Sequence, residues 1–270
     1  MLSIIIPLTG KNKIKYAKTC LHFLNKQTLK RNKYEIIIIE QVNSLLGDKR
    51  TGGPFYNNMQ GIDKYITLQD PSENHFNQSW IANVGARVAK GTKLLFLNID
   101  MVCSQNYLEA VAKFNAPHFL AWGKVYRLTE QISNRICNTG KVTPDMLRGL
   151  PTHKAHATKQ CGSAVCSKKD FYWNQLGGYN ENYLGWGEED VDIATRALAI
   201  LKRGYILNQP LHHLWHLQKY VTYLKPERQK LIAATRTHPM EITKRLKAAS
   251  LGDRHKQTYI EINDLTTKRN

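Results

Sequence analysis

Acidic residues are in short supply here. The 270 residues hold 21 Asp+Glu against 39 Lys+Arg, a formal net charge of +18 at pH 7. Such a balance argues against a basic partner and turns the search toward anions: nucleic acid, an anionic membrane face, a phosphorylated ligand or an acidic polysaccharide. Cysteine is scarce too. Cys20, Cys103, Cys137, Cys161 and Cys166 are odd in number and form no Cys-x-x-Cys pair. That excludes an evident zinc site or disulfide framework and fits a reducing cytosol. No stretch reaches the roughly 18 apolar residues of a membrane span. The opening "MLSIIIPLTGKNK" has neither a basic n-region nor a small-residue cleavage site, so it reads as a buried strand rather than a signal peptide. There is no internal repeat. The basic residues are spread along the chain without a helix-turn-helix pattern or an aromatic-interleaved RNA motif, so nucleic acid is not the expected partner.

What is present is ample material for a core: 42% of the residues are hydrophobic. That suffices for one large domain, or one domain with a small appendage. Ser3–Pro7 is a β-branched run closed by proline, and Ile14–Leu29 carries Ile14, Ala17, Leu21 and Leu24 on one helical stripe. "YEIIIIE" from Tyr34 and "LLFL" at Leu94–Leu97 are near-continuous apolar runs, as expected of strands buried on both faces. A helix at Asn77–Ala89 lies between them. This alternation predicts an α/β domain with a central, mainly parallel sheet flanked by helices. Further on, a helix is expected at Gln105–Phe114 and a strand at Phe119–Tyr126, while Thr129–Gln160 is polar, basic and poorly patterned and reads mostly as loop. Past Gln218 the chain is basic, with the pattern of one or two short amphipathic helices and a frayed end. The expected division is therefore a domain over 1–218 and a basic helical extension over 219–270.

Three constellations carry chemistry. A buried strand ends in "NID", Asn98-Ile99-Asp100, delivering polar groups to the carboxyl edge of the sheet where open α/β folds bind ligands. Asp100 would also serve as a plain helix cap. "LHHLWHLQ" places His213 and His216 three residues apart, a spacing that lets two imidazoles face one centre but is a weak metal signal by itself. "GWGEEDVDIATRA" sets Glu188, Glu189, Asp190 and Asp192 behind Gly185-Trp186-Gly187 at the start of an apolar-striped helix. Acids there are favoured by the helix dipole, yet the Gly-Trp-Gly run asks for more than capping. Together, one carboxylate, one or two imidazoles and two phosphate oxygens would make an octahedral site for a hard divalent ion, leaving the acid cluster for acid–base work.

In this order the motifs resemble those of GT-A-fold glycosyltransferases, in the group of the β-1,4-galactosyltransferases, polypeptide N-acetylgalactosaminyltransferases and chondroitin polymerases. "YEIIIIEQ", "FNQSWIANVGARVA", "FLNIDMV" and "CGSAVCSKKDFYWNQLGGYNENYLGWGEEDVDIATRA" are similar to that group's second strand, Asn-Val-Gly helix, Asp-x-Asp motif and Gly-Gly to Trp-Gly-Gly-Glu-Asp block. The resemblance spans about Ser3–Gln218. It implies metal-dependent transfer of a hexose or N-acetylhexosamine from a UDP-sugar to a hydroxyl of a glycan, lipid-linked or capsular acceptor. Asp100 and His216 would hold Mn2+ or Mg2+, with His213 as a more variable ligand. Pro7, Thr9, Glu40, Asn83, Asn98 and Gly162 would bind donor, Asn98 replacing the first Asp of the motif.

Asp190 matches the base of inverting members, retaining relatives carrying Asn there. Glu189 is implied beside it in catalysis and sugar binding, and Trp186 and Asp192 on the acceptor. Glu188 departs from the pattern, standing where the group usually has a second Gly. The loops at Leu45–Asn58 and Thr129–Gln160 would be lids or acceptor-recognition elements, with "PTHKAHATKQ" at Pro151–Gln160 as a phosphate contact or a solvated loop. The expected setting is cytoplasmic, peripheral on an anionic membrane surface through the tail helices, in a bacterial or viral enzyme. A basic nucleic-acid- or polyanion-binding protein and a catalytically inactive sugar-binding relative are the competing readings.

Overall fold

The computed structural model describes residues 1–8, 13–42, 59–69, 75–143, 146, 164–185, 187–217 and 225–255. Thr9, Gly162, Trp186, the Leu45–Asn58 loop and the Pro151–Gln160 stretch lie outside them, as does the expected frayed end from 256.

The apolar runs become the inner strands. β1 (Leu2–Leu8) is buried at every residue, and β2 (Tyr34–Val42) at all but its last. They pair in parallel, Ile4 opposite Ile36 and Leu8 opposite Glu40, and β1 pairs in parallel with β4 (Lys93–Leu97) on its other side. β3 (Lys64–Gln69) extends this half in parallel. Beyond β4 the sheet changes character, through β5 (Met101–Cys103), β6 (Leu120–Arg127), β7 (Ala164–Lys168) and β8 (Tyr205–His213). The order is β3-β2-β1-β4-β7-β6-β8-β5. β7 lies antiparallel between β4 and β6, and β5 runs antiparallel to β8. The sheet expected from sequence to be mainly parallel is thus mixed: β3, β2, β1 and β4 run parallel, β6 and β8 pair in parallel further on, and β7 and β5 are the antiparallel strands. β7 and the three-residue β5 carry little pattern of their own, and β8 contains Pro210, which obscures its strand signal.

Alternation across the strands sorts the core into two layers. Ile4, Ile6 and Leu97 face α1 (Ile14–Leu24) and α3 (Tyr107–Lys113). Ile5, Ile37 and Phe96 face α2 (Gln78–Val88) and α5 (Glu189–Leu201). Each large side chain buried here contributes roughly 1.5–3 kcal/mol. α1 ends at Leu24 rather than Leu29, because Thr28 N–H turns away to the Gln105 carbonyl. Within the expected Thr129–Gln160 loop stands a helix, α4 (Glu130–Thr139), with Thr129 as its N-cap and a left-handed Gly140 at its end. It buries only Ser133 and Ile136, too narrow a stripe to read from sequence.

α6 (Lys225–Thr237) and α7 (Pro239–Ala248) pack against α5. The turn after them reaches α2, where Arg87 Nε donates to the Leu251 carbonyl at 3.1 Å, and the segment before α5, where Gly252 N–H donates to Glu181 Oε1 at 2.8 Å. Among the described residues no helix is long and apolar enough to cross a membrane.

Candidate active site

The site is built where β4 leaves the sheet. Its buried run delivers Asn98-Ile99-Asp100 to the carboxyl edge, and Asp100 then leads into β5. Because β5 pairs with the end of β8, Met101 opposes His213, and Leu214 N–H donates to the Asp100 carbonyl at 2.9 Å. This register carries both histidines to the aspartate. His216 Nε2 lies 3.1 Å from Asp100 Oδ2 and His213 Nε2 lies 3.6 Å from Oδ1, one ligand atom of each residue falling within 4.8 Å of the others. The intervening Trp215 is pinned at both ends: its N–H donates to Ser133 Oγ at 2.8 Å, and its carbonyl accepts from Tyr16 OH at 3.1 Å. Lys13 Nζ approaches Asp100 Oδ2 at 3.2 Å.

Burial would push the Asp100 carboxyl up, but the His216 hydrogen bond and the fields of His213 and Lys13 outweigh it and hold the group below the usual carboxylate range. His216 is raised in return, chiefly by that hydrogen bond. His213 is lowered, chiefly by burial, despite Asp100 beside it. Asp100 Oδ1 is buried and has no hydrogen-bond partner among the described residues. An orphaned carboxylate oxygen facing imidazole nitrogens is costly unless something positive completes it. The residues therefore fit a divalent cation, and the mixed oxygen and imidazole set suits Mn2+.

The second half of the site lies on the opposite layer. A glycine-rich turn, with Gly177 and Gly178 at positive φ, brings Tyr179 back against Phe96. A bridge between Gly185 and Asn77 fixes the approach to α5. Glu188 caps the helix at φ 73°, in the left-handed region where a side chain costs about 1–2 kcal/mol, and this is the position at which the sequence departed from Gly. Glu189 follows, buried, its carboxylate accepting from Gly187 N–H at 2.8 Å. Asp190 accepts from Tyr179 OH at 3.0 Å. Burial raises both carboxyls well above their ordinary range, and Glu189 is lifted further by Asp190 beside it. Pro7, Phe96, Asn98, Tyr179 and Asp190 line one cleft with Gln78.

Other expected site residues are placed differently. Asp192 does not face the cleft. It is fully buried, pairs with Arg196 Nη2 at 2.7 Å and accepts from Thr235 Oγ1 at 2.6 Å, so its carboxylate neutralises a buried guanidinium. The acid at the fourth position of α5 points into the core side of the helix, which composition could not distinguish from its neighbours. Asn83 is likewise buried, donating to Glu181 Oε1 at 2.8 Å and the Tyr179 carbonyl at 2.9 Å while accepting from Tyr179 N–H; it shapes the tyrosine turn. Glu40 lies buried at the end of β2, where Tyr65 OH donates to it. Sequence reasoning missed Lys13, Tyr179 and Arg228. Arg228 Nη1 donates to the Leu184 carbonyl at 3.2 Å from α6, which lies in the stretch expected from sequence to form a basic helical extension.

Comparisons with known proteins agree with this fold. The sequence model of the family described as Glycosyltransferase like family 2 matches residues 3–225. No curated protein sequence matches the chain. S. aureus TarS 1-349 in complex with UDP-GlcNAc superposes with a TM-score of 0.59 at 15% identity, over 92% of this chain and 70% of that one. The mannosyltransferase PcManGT from Pyrobaculum calidifontis, in complex with GDP-Man and Mn2+, gives 0.54 at 14%, over 89% and 64%. GalNAc-T7 with UDP, GalNAc and Mn2+ gives 0.53 at 15%, over 89% of this chain and 51% of that one.

Proposed function

The chain belongs to Glycosyltransferase like family 2 and is a GT-A-fold glycosyltransferase; from that premise we propose that it moves a hexose or N-acetylhexosamine from a UDP-sugar to an acceptor hydroxyl with inversion. The observation that carries this reading is the Asp100–His213–His216 cluster with its orphaned oxygen, two residues from the cleft-lining Asn98 that shares its cleft with Asp190. Asp100, His216 and His213 would hold Mn2+, which when bound supplies a Lewis acid for charge developing on the departing diphosphate.

The chain's own residues do the rest. Pro7 and Asn98 border the donor, the Asn98 amide suited to a sugar or ribose hydroxyl. The Tyr179 hydroxyl fixes the orientation of Asp190, which removes the acceptor hydroxyl's proton as that oxygen attacks the anomeric carbon. Such a positioned base typically contributes about 10²–10⁴ in rate. The raised basicity of the Glu189–Asp190 pair supports that role, since a carboxylate in its ordinary range is a weaker base. Glu189, anchored on Gly187 N–H, would contact sugar beside it. Inversion follows from a single displacement with a dedicated base. We place the acceptor among glycans or lipid-linked saccharides and the enzyme on the cytoplasmic face of an anionic membrane, a setting supported by the net charge of +18. Sedimentation with vesicles that is indifferent to anionic lipid would remove that placement.

The test is turnover with a panel of UDP-sugars, GDP-mannose as control, in Mn2+, followed by the anomeric configuration of the product. Turnover lost in Asp190→Asn with donor binding intact supports the reading. Retention of configuration, or a parent protein that binds no nucleotide sugar, overturns it and returns the chain to an inactive sugar-binding relative or a polyanion binder.

A further inference from the structure

Lys13 precedes α1, and no acid in the first turn of that helix offers it a local partner. Its ammonium instead crosses to Asp100, 3.2 Å from Oδ2, the oxygen that His216 Nε2 approaches at 3.1 Å. The stem passes the Tyr16 ring, with Nζ 5.4 Å from its centroid, and the side chain stays about one quarter exposed. A lysine and a divalent cation would therefore compete for one carboxylate. Unlike the histidines, the lysine offers no free lone pair as an ammonium, so it cannot join the ion as a ligand. It is also the mobile member of the set: the histidines sit on a backbone pinned by β5, Ser133 and Tyr16, whereas Lys13 reaches in on a flexible four-carbon stem.

We infer that Lys13 is a displaceable counter-ion and a diphosphate ligand. It neutralises Asp100 while no divalent ion is bound, yields when the ion enters, and turns its ammonium to the donor's diphosphate. Three rotatable N–H donors on a point charge suit phosphate oxygens, and the move is short because the ion that displaces the lysine is the one the diphosphate would meet. The bland alternative is an ion pair of little consequence, as partly exposed pairs usually are. The inference rests on the metal-dependent reading above, and the two are separable by experiment.

The experiment measures Mn2+ binding to the protein alone by electron paramagnetic resonance, and UDP binding in saturating Mn2+ by calorimetry, for the parent, Lys13→Met and Lys13→Arg. Lys13→Met is expected to bind Mn2+ roughly 3- to 10-fold tighter, the competing charge being gone. The same variant is expected to bind UDP roughly 10- to 100-fold more weakly, the loss of one charge-assisted hydrogen bond. Lys13→Arg, which keeps the charge, should hold Mn2+ affinity near the parent value and recover part of the UDP affinity. A merely structural lysine would move neither constant in opposite directions. Unchanged or weaker Mn2+ binding by Lys13→Met, or unchanged UDP binding, overturns the inference alone. A parent protein that takes up no Mn2+ overturns the metal reading and this inference with it.

Discussion

Asp100 and Asp190 are the same chemical group in one site, and their surroundings give them opposite properties. Asp100 is ringed by Lys13, His213 and His216, which hold it ionised against the cost of burial. Asp190 has another carboxylate as its chain neighbour and a tyrosine hydroxyl as a hydrogen-bond donor, and burial lifts it toward neutrality. A carboxylate kept permanently negative suits a cation; one whose proton is easily gained and lost suits a base. Below them Asp192 shows a third use of an acid, fully buried and spent on Arg196, whose Nη2 also donates to the Gly178 carbonyl at 2.9 Å, next to Tyr179. The Glu189–Asp190 pair proposed for catalysis thus stands on a neutralised one.

Breaking that foundation should have the largest effect. Asp192→Ala leaves Arg196 buried without its counter-charge and is expected to cost about 3–5 kcal/mol, read from the denaturant midpoint. Next comes the base. Asp190→Asn should lower kcat by about 10²–10⁴ while donor binding stays at the parent level, measured by single-turnover assays.

The pH response of stability sharpens the contrast further. Asp100 has a lowered folded pKa, so its contribution is present above the ordinary carboxylate pKa of about 4 and is lost as pH falls. The Glu189–Asp190 pair is raised, so the folded state holds extra protons and stability declines as pH climbs from about 4 through the raised range. In metal-free protein, Asp100→Asn should flatten the acid-side rise of thermal midpoints against pH, and Asp190→Asn should shrink the later decline, Glu189 staying raised by its own burial. The smallest effect is expected at the helix cap. Glu188→Gly relieves a left-handed side chain but forfeits the 3.0 Å bond from Gln229, for a net gain of up to about 1 kcal/mol by chemical denaturation.

Much of this was legible in the sequence because the inner strands are so apolar. "YEIIIIE" and "LLFL" can only be buried, and the helices between them then fix a layered α/β fold. Asp100, His213 and His216 were readable as separate motifs, but their meeting depends on the pairing of β5 with β8, a contact between a three-residue strand and one interrupted by proline. The mixed half of the sheet was hidden for the same reason. The acid cluster was visible as a block, yet only helix phase separates Asp190, at the cleft, from Asp192, in the core. Lys13 and Arg228 were lost among many other basic residues; nothing but long-range geometry marks them out.

The account stands on the division of labour between the two aspartates. Calorimetric titration of UDP into Asp100→Ala and Asp190→Asn, each in Mn2+, tests it most directly. The expected result is that Asp190→Asn binds UDP as the parent does and Asp100→Ala does not bind it. UDP binding of parent strength by Asp100→Ala would contradict the assignment of the cation site, and with it the roles drawn here for both carboxylates.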